Sequence, residues 1–292
     1  MHINKLCIIT QRGNLLNGAH FEDGPSDTAL IVVTGLHGNS FTNPFLRDMG
    51  RRIAKAGIHF ILAESADAHP RIESYNVRTQ QVEQLGSGTA RLADCIDDIG
   101  SYVSKACAMG YKHIYLGGHC LGASKVVHYL ATTQDPRIER FVLLNPGDHG
   151  LFMAEVTPEE KTAVLEKMAQ GQVDEPLPFA LMGWFRCTVG VGYDYVSDDC
   201  IIYNVSAETN PPRDDLRHII HHGMLVIGEQ DVYPANGPLD YIEKINAKIP
   251  DSKGNELIEV PGADHVFTGC GEILADSILP VLQRWREENS HE

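Results

Sequence analysis

A chain of 292 residues, 43% of them hydrophobic and 22% charged, is long enough for one sizeable core and has the composition of an ordinary globular protein. Its formal net charge of −15 repels phosphate backbones and anionic lipid, which argues against nucleic acid and membrane surfaces as partners. No apolar run approaches the roughly 20 residues that span a bilayer, and "MHINKLCIITQRGNLLNGAHFEDG" has no basic segment leading into an apolar one, so a cytoplasmic location is expected.

The strands and helices alternate. "KLCIIT" (5–10) and "GAHFED" (18–23) predict an opening antiparallel pair. "ALIVVTG" (29–35) is an apolar, β-branched run of the kind buried in a parallel sheet. A helix is predicted over "NPFLRDMGRRIAKAG", ending on Gly57, then a strand at "IHFILAE" (58–64). A long amphipathic helix is predicted over 88–110, a strand at "HIYLGGH" (113–119), a helix at "LGASKVVHYLATT" (121–133) and a strand at "RFVLLNP" (140–146). Residues 148–215 break the rhythm with a helical stretch, "TPEEKTAVLEKMAQG", and a segment rich in Pro, Gly and aromatics. "TPEE" reads as a helix start with Thr157 as N-cap and Pro158 first. Alternation then resumes with "GMLVIGEQD" (223–231), "GPLDYIEKINAKI", "ELIEVPGADH" (256–265) and a closing helix that Pro280 is expected to kink.

This pattern implies an α/β fold with a doubly wound, mostly parallel sheet covered on both faces. The expected organisation is a core of residues 1–147 and 216–292 with an insertion at 148–215. Such sheets bind ligands beyond the carboxyl ends of their strands. Three chemically competent residues follow strands there: Cys120, Asp231 and His265. The seven cysteines are odd in number and include no C-x-x-C pair, which fits neither a disulfide framework nor a zinc site; most are expected to be free thiols.

The order nucleophile, acid, histidine is that of α/β-hydrolase triads. "GGHCLGA", "IGEQD" and "PGADHVF" carry a resemblance to the α/β-hydrolase superfamily that spans nearly the whole chain. Within it, "CIDDIGSYV", "GHCLGASKVVHYL" and "GADHVFTG" resemble a group of poorly characterised, esterase-like hydrolases. The resemblance implies an eight-stranded sheet, a lid at 148–215 and a cysteine nucleophile, Cys120, in a sharp turn between Gly118 and Gly122. The helix that follows points its positive end at the sulfur, a field that favours an oxyanion there. His265 would be the base and Asp231 its orienting acid. Asp264 is read as a loop-stabilising residue, and Glu229 precedes the strand end. The oxyanion hole would use the backbone N–H groups of Leu121 and Leu36, the latter in a Thr34-Gly35-Leu36-His37-Gly38 loop where related sequences carry His-Gly. His37 is either a substrate contact or a solvated loop residue, and His119 is expected to point aside into packing.

A thiol nucleophile implies an acyl-thioester intermediate and favours an activated small-molecule acyl substrate: an ester, lactone or thioester. Dienelactone hydrolases resemble this pattern, with Cys, Asp and His on the same fold. They are shorter, lack the long insertion and tend to carry two glycines where this elbow continues Gly122-Ala123. Trp184 and Phe185 stand among the insertion's large apolar residues (with Phe152, Phe179, Leu181, Met182, Tyr193 and Tyr195) that either line an acyl pocket or form the insertion's own small core. No metal and no organic cofactor are expected: His218 and His222 have i, i+4 spacing, but no acidic residue completes a ligand motif. Three alternatives remain: acyl transfer, a non-catalytic binding protein on the same fold, and a thiol introduced in place of a serine. Oligomeric state is open, a homodimer included.

Overall fold

The computed structural model describes residues 1–148, 154–209, 211–234 and 236–289. Eight strands form one sheet: β1 (His2–Ile9), β2 (Leu15–Glu22), β3 (Thr28–Val33), β4 (His59–Ala63), β7 (His113–His119), β8 (Ile138–Leu144), β9 (His222–Gly228) and β10 (Glu256–Val260), in the spatial order β1-β2-β4-β3-β7-β8-β9-β10. β2 runs antiparallel to both β1 and β4, and every other pairing is parallel. The parallel strands β4, β3, β7, β8 and β9 are almost uniformly buried at their centres, which is why they read as continuous apolar runs rather than as alternation.

Helices cover both faces. α1 (Pro44–Lys55) and the closing helix, α7 (Gly271–Asn289), pack against one side in a core containing Phe60, Tyr115, Met224 and Trp285. α2 (Cys95–Ala108), α3 (Leu121–Thr133) and α6 (Pro238–Asn246) pack on the other, around Ile31, Leu116, Leu143 and Leu225. α7 continues through Pro280 from 271 to 289. Strand register brings Val33 level with Gly118, Gly118 with Leu143, Leu144 with Val226, and Gly228 with Val260. The carboxyl ends of β3, β7, β8, β9 and β10 are therefore gathered along one edge, and the loops that leave them are neighbours.

Two features depart from the sequence expectations. A separate antiparallel hairpin, β5 (Ile72–Asn76) with β6 (Gln81–Leu85), lies in a stretch where no strand is predicted; Asn76 closes its turn by accepting from the N–H groups of Arg78 and Thr79. And α2 begins at Cys95 rather than near residue 88. The residues before it are tied to the insertion instead: Asp194 accepts from the Arg91 guanidinium and the Leu92 N–H, and the Gly88 carbonyl accepts from Thr188 N–H. These tertiary bonds outcompete the local helix tendency of 88–94.

The described part of the insertion holds α4 (Pro158–Ala169) and α5 (Val189–Val196). Thr157 and Glu160 close a reciprocal capping box at the start of α4, as the "TPEE" signal suggests. Leu181, Phe185, Val191 and Tyr195 form a small apolar cluster that includes Leu121, so this segment packs onto the start of α3. Phe152 lies outside the described residues. No helix among the described residues is long and apolar enough to cross a membrane.

Candidate active site

The turn between β7 and α3 places Cys120 at φ 56°, ψ −123°, a conformation costly for any residue with a side chain. Its N–H donates to the Leu144 carbonyl and its own carbonyl accepts from Ala123 N–H, so both neighbouring elements hold the strained residue in place. The flanking glycines are required by contact. A Cβ on Gly118 would lie 2.2 Å from the Gly122 oxygen, and one on Gly122 would lie 2.3 Å from the Val33 oxygen. Residue 118 thus touches the first turn of α3, and residue 122 touches the end of β3.

The loop after β3 runs alongside this elbow: a Cβ built on Gly35 would sit 3.0 Å from that of Cys120 and 3.5 Å from the Leu121 nitrogen. Among the described residues neither the Leu36 nor the Leu121 backbone N–H has an acceptor. Both residues line the cavity that contains Cys120. The loop is held from outside: His37 N–H donates to the Asp67 carbonyl, Asn39 Nδ2 to the Ala68 carbonyl, and Ser40 N–H to Glu64. The stretch 64–68 is anchored by a buried ion pair in which Lys125 Nζ lies 2.5 and 2.6 Å from the two Asp67 carboxylate oxygens and 2.9 Å from Ser65 Oγ.

Asp231 follows β9 and its carboxylate is fully buried. One oxygen accepts from Tyr233 N–H at 3.0 Å, and the other lies 2.8 Å from Nδ1 of His265. The carboxylate is an acceptor, so Nδ1 carries a proton and Nε2 is the nitrogen free to act as base. Nε2 is buried and has no formed hydrogen bond among the described residues. Burial disfavours the His265 imidazolium, but its interactions with Asp231 and with the Cys120 thiol outweigh that and raise its pKa to about 10. Asp231 therefore holds His265 from behind, and His265 and Cys120 line the same cavity.

Three residues with no reactive role in the sequence reading hold the histidine. The Tyr233 ring packs against the imidazole, with centroids 4.2 Å apart. His119 is buried, and its Nε2–H donates to the His265 carbonyl at 2.8 Å. Burial and the nearby His265 push its pKa down to about 3, so it stays neutral and keeps this donor. Asn145, wholly buried at φ 40°, donates through Nδ2 to the carbonyls of His265 (2.7 Å) and Asp264 (3.0 Å) and accepts from Gly228 N–H at 2.7 Å. Asn145 directly follows β8, as Cys120 follows β7, so its position at a strand end was a usable signal. Asp264 accepts from the N–H groups of Val266 and Thr268 and so caps its own loop, and Glu229 accepts from Gly262 N–H.

The Cys120 cavity has a volume of about 350 Å³. His37 and Trp184 line it with Tyr195, Ile202, Tyr233 and Val266, whereas Phe185 is buried in the insertion's cluster and lines a neighbouring cavity. His218 and His222 take part in no metal-competent cluster among the described residues. His20, Glu22 and His59 do come together, but the two imidazoles are already bridged by the Tyr111 hydroxyl at 2.6 Å each.

No protein-family model matches this chain, and neither does any curated protein. Solved structures do. Est1E from Butyrivibrio proteoclasticus aligns at 16% identity over 96% of this chain and 98% of its own, with a TM-score of 0.63. The alpha/beta hydrolase GrgF from Penicillium sp. sh18 aligns at 16% identity over 98% and 97%, also with a TM-score of 0.63. The chain has the α/β-hydrolase fold. Carboxylesterase CesB (YbfK) from Bacillus subtilis shares it at 14% identity over 97% of this chain and 92% of its own, with a TM-score of 0.56.

Proposed function

We propose that this protein hydrolyses a carboxylic ester, lactone or thioester of a small-molecule acid through a Cys120–His265–Asp231 triad. The observation that carries the reading is the Asp231–His265 pair at 2.8 Å, with the carboxylate buried and the imidazole lining the same cavity as the strained Cys120 elbow. A carboxylesterase among the structural neighbours supports the same reaction class.

Each group has a role that its surroundings favour. His265 Nε2 takes the thiol proton, and the sulfur attacks the acyl carbon. The N–H groups of Leu36 and Leu121 receive the oxyanion; removing one such donor typically costs a factor of about 10² to 10³. The raised pKa of His265 keeps it protonated beside the sulfur, ready to give that proton to the departing alkoxide or thiolate. Asp231 fixes the tautomer and stabilises the imidazolium. The resulting thioester is cleared by water, which His265 deprotonates in turn. Residues 148–215 act as a lid that presents Trp184 and Tyr195 to the acyl group.

The test is mass spectrometry of the protein incubated with a panel of activated esters. An acyl adduct on Cys120, absent in Cys120→Ala, is expected. Ester turnover undiminished in Cys120→Ala would eliminate the triad.

A further inference from the structure

Next to the Cys120 cavity lies a second one, of about 690 Å³, walled by Pro70 and Arg71, the segment 87–89 and, from the insertion, Asp174, Pro176, Leu177 and residues 184–188. His37 and Trp184 line both cavities, and their rings meet edge to face with centroids 6.4 Å apart, so the two volumes share a wall. The triad chemistry makes no use of this second space.

Its lining differs in kind from the first. Leu177, Phe185 and Trp184 supply apolar and aromatic surface, and the charged residues of the lining are two arginines, Arg71 and Arg186, and one acid, Asp174. Elsewhere in this acidic chain most arginines are taken up by carboxylates, as Arg12, Arg91, Arg137 and Arg213 are. These two are not. Arg71 has only the neutral Gln84 amide oxygen, at 2.6 Å, and the Arg186 guanidinium has no partner among the described residues. Arg186 also projects from backbone held on both flanks: the Phe185 carbonyl accepts from Leu181 N–H, and the Cys187 carbonyl accepts from Leu177 N–H, both at 2.9 Å.

The geometry also says which end of a substrate would reach this space. His265 protonates the leaving group, so the leaving group must lie on the His265 side. Tyr233, His265 and Val266 line only the first cavity, and the second adjoins it through His37 of the oxyanion loop. The second cavity is thus placed for the far end of the acyl group. Guanidiniums are suited to a planar carboxylate. With Asp174 already present, one further negative charge balances the lining, where a doubly charged phosphate would exceed it. Resting on the hydrolase reading above, we propose that the preferred substrates are ω-carboxyacyl esters or thioesters, whose terminal carboxylate is held by Arg71 and Arg186 while the acyl carbon sits at Cys120.

The test compares mono-p-nitrophenyl esters of adipic, suberic and sebacic acids with p-nitrophenyl hexanoate, octanoate and decanoate. At one chain length or more, kcat/KM for the charged ester should exceed that of its neutral counterpart about tenfold. In an Arg71→Gln, Arg186→Gln double variant that ratio should fall toward one. Preference for the neutral ester at every length, or a ratio unmoved by the double variant, overturns the inference. Calorimetry of monoethyl suberate with Cys120→Ala protein adds a readout free of turnover: combining Cys120→Ala with both arginine changes should weaken binding about tenfold, and equal affinities overturn the anion site. Arginine-dependent binding without any Cys120-dependent turnover would sink the hydrolase reading alone. Neutral-ester hydrolysis with no charge preference would sink the anion site alone.

Discussion

Replacing Asn145 by alanine should cost both stability and catalytic rate, because one side chain joins the loop of His265 to the end of β9. Three side-chain hydrogen bonds disappear. The two carbonyls retain second partners, Phe267 N–H on Asp264 and His119 on His265, so each forfeits only an ordinary hydrogen bond of about 0.5–1.5 kcal/mol. Gly228 N–H loses its side-chain acceptor at a buried position, a loss of about 1–3 kcal/mol. Alanine at φ 40° adds about 1 kcal/mol of backbone strain that asparagine tolerates. A total of about 3–7 kcal/mol follows, and urea denaturation measures it. Asn145→Gly separates the two contributions, since glycine accepts the positive φ and should recover about 1 kcal/mol. With the His265 loop released from one of its two clamps, kcat for an activated ester should fall roughly a hundredfold, the scale of a 1 Å misplacement. If Asn145→Ala unfolds within about 0.5 kcal/mol of the parent and turns over at the parental rate, the clamp is not what holds His265.

Other expectations follow from the same coordinates. Gly122→Ala would press a methyl group to 2.3 Å from the Val33 oxygen and 2.8 Å from that of Thr34, destabilising the fold by about 3 kcal/mol and displacing the loop at 34–38; a lowered Tm and lost turnover should appear together. Lys125→Met breaks a buried ion pair and leaves Asp67 uncompensated, at about 3–5 kcal/mol in urea denaturation. Because His265 is raised from 6.5 to about 10, its contribution to stability is fully present below pH 6.5 and is lost as pH rises through about 10. In Asp231→Asn the imidazole pKa should drop, visible in its NMR titration, and the decline in unfolding free energy between pH 6.5 and 10 should flatten. His119→Phe removes a donor from the His265 carbonyl and should lower kcat more than it raises KM, a split that a purely structural role would not produce.

Much of this was legible in residue order because the relevant contacts are short in sequence. β7 and α3 follow the runs "HIYLGGH" and "LGASKVVHYLATT" residue for residue, and the elbow glycines between them obey a clash that a sharp turn makes unavoidable. The "TPEE" capping box is likewise local. Asn145 and Tyr233 were not legible in the same way. Asparagine carries no reactive group, and its value comes from carbonyls more than a hundred residues distant. The β5–β6 hairpin was missed because its strands are short, polar and largely exposed, so no apolar periodicity marks them. The start of α2 was misplaced for a different reason: partners in the insertion claim the backbone groups of residues 88–92.

The order of residues by itself determined the alternation of strands and helices and the strained cysteine turn, since propensity, periodicity and steric clash act over a few neighbours. Only the tertiary structure decided that Asp231 meets His265, that His119 and Asn145 converge on one carbonyl, and that two arginines share a cavity beyond His37 and Trp184. Those meetings depend on the lateral order β7-β8-β9-β10 and on how the insertion settles over α3. Both are set by the burial of whole faces, which no short window of sequence contains.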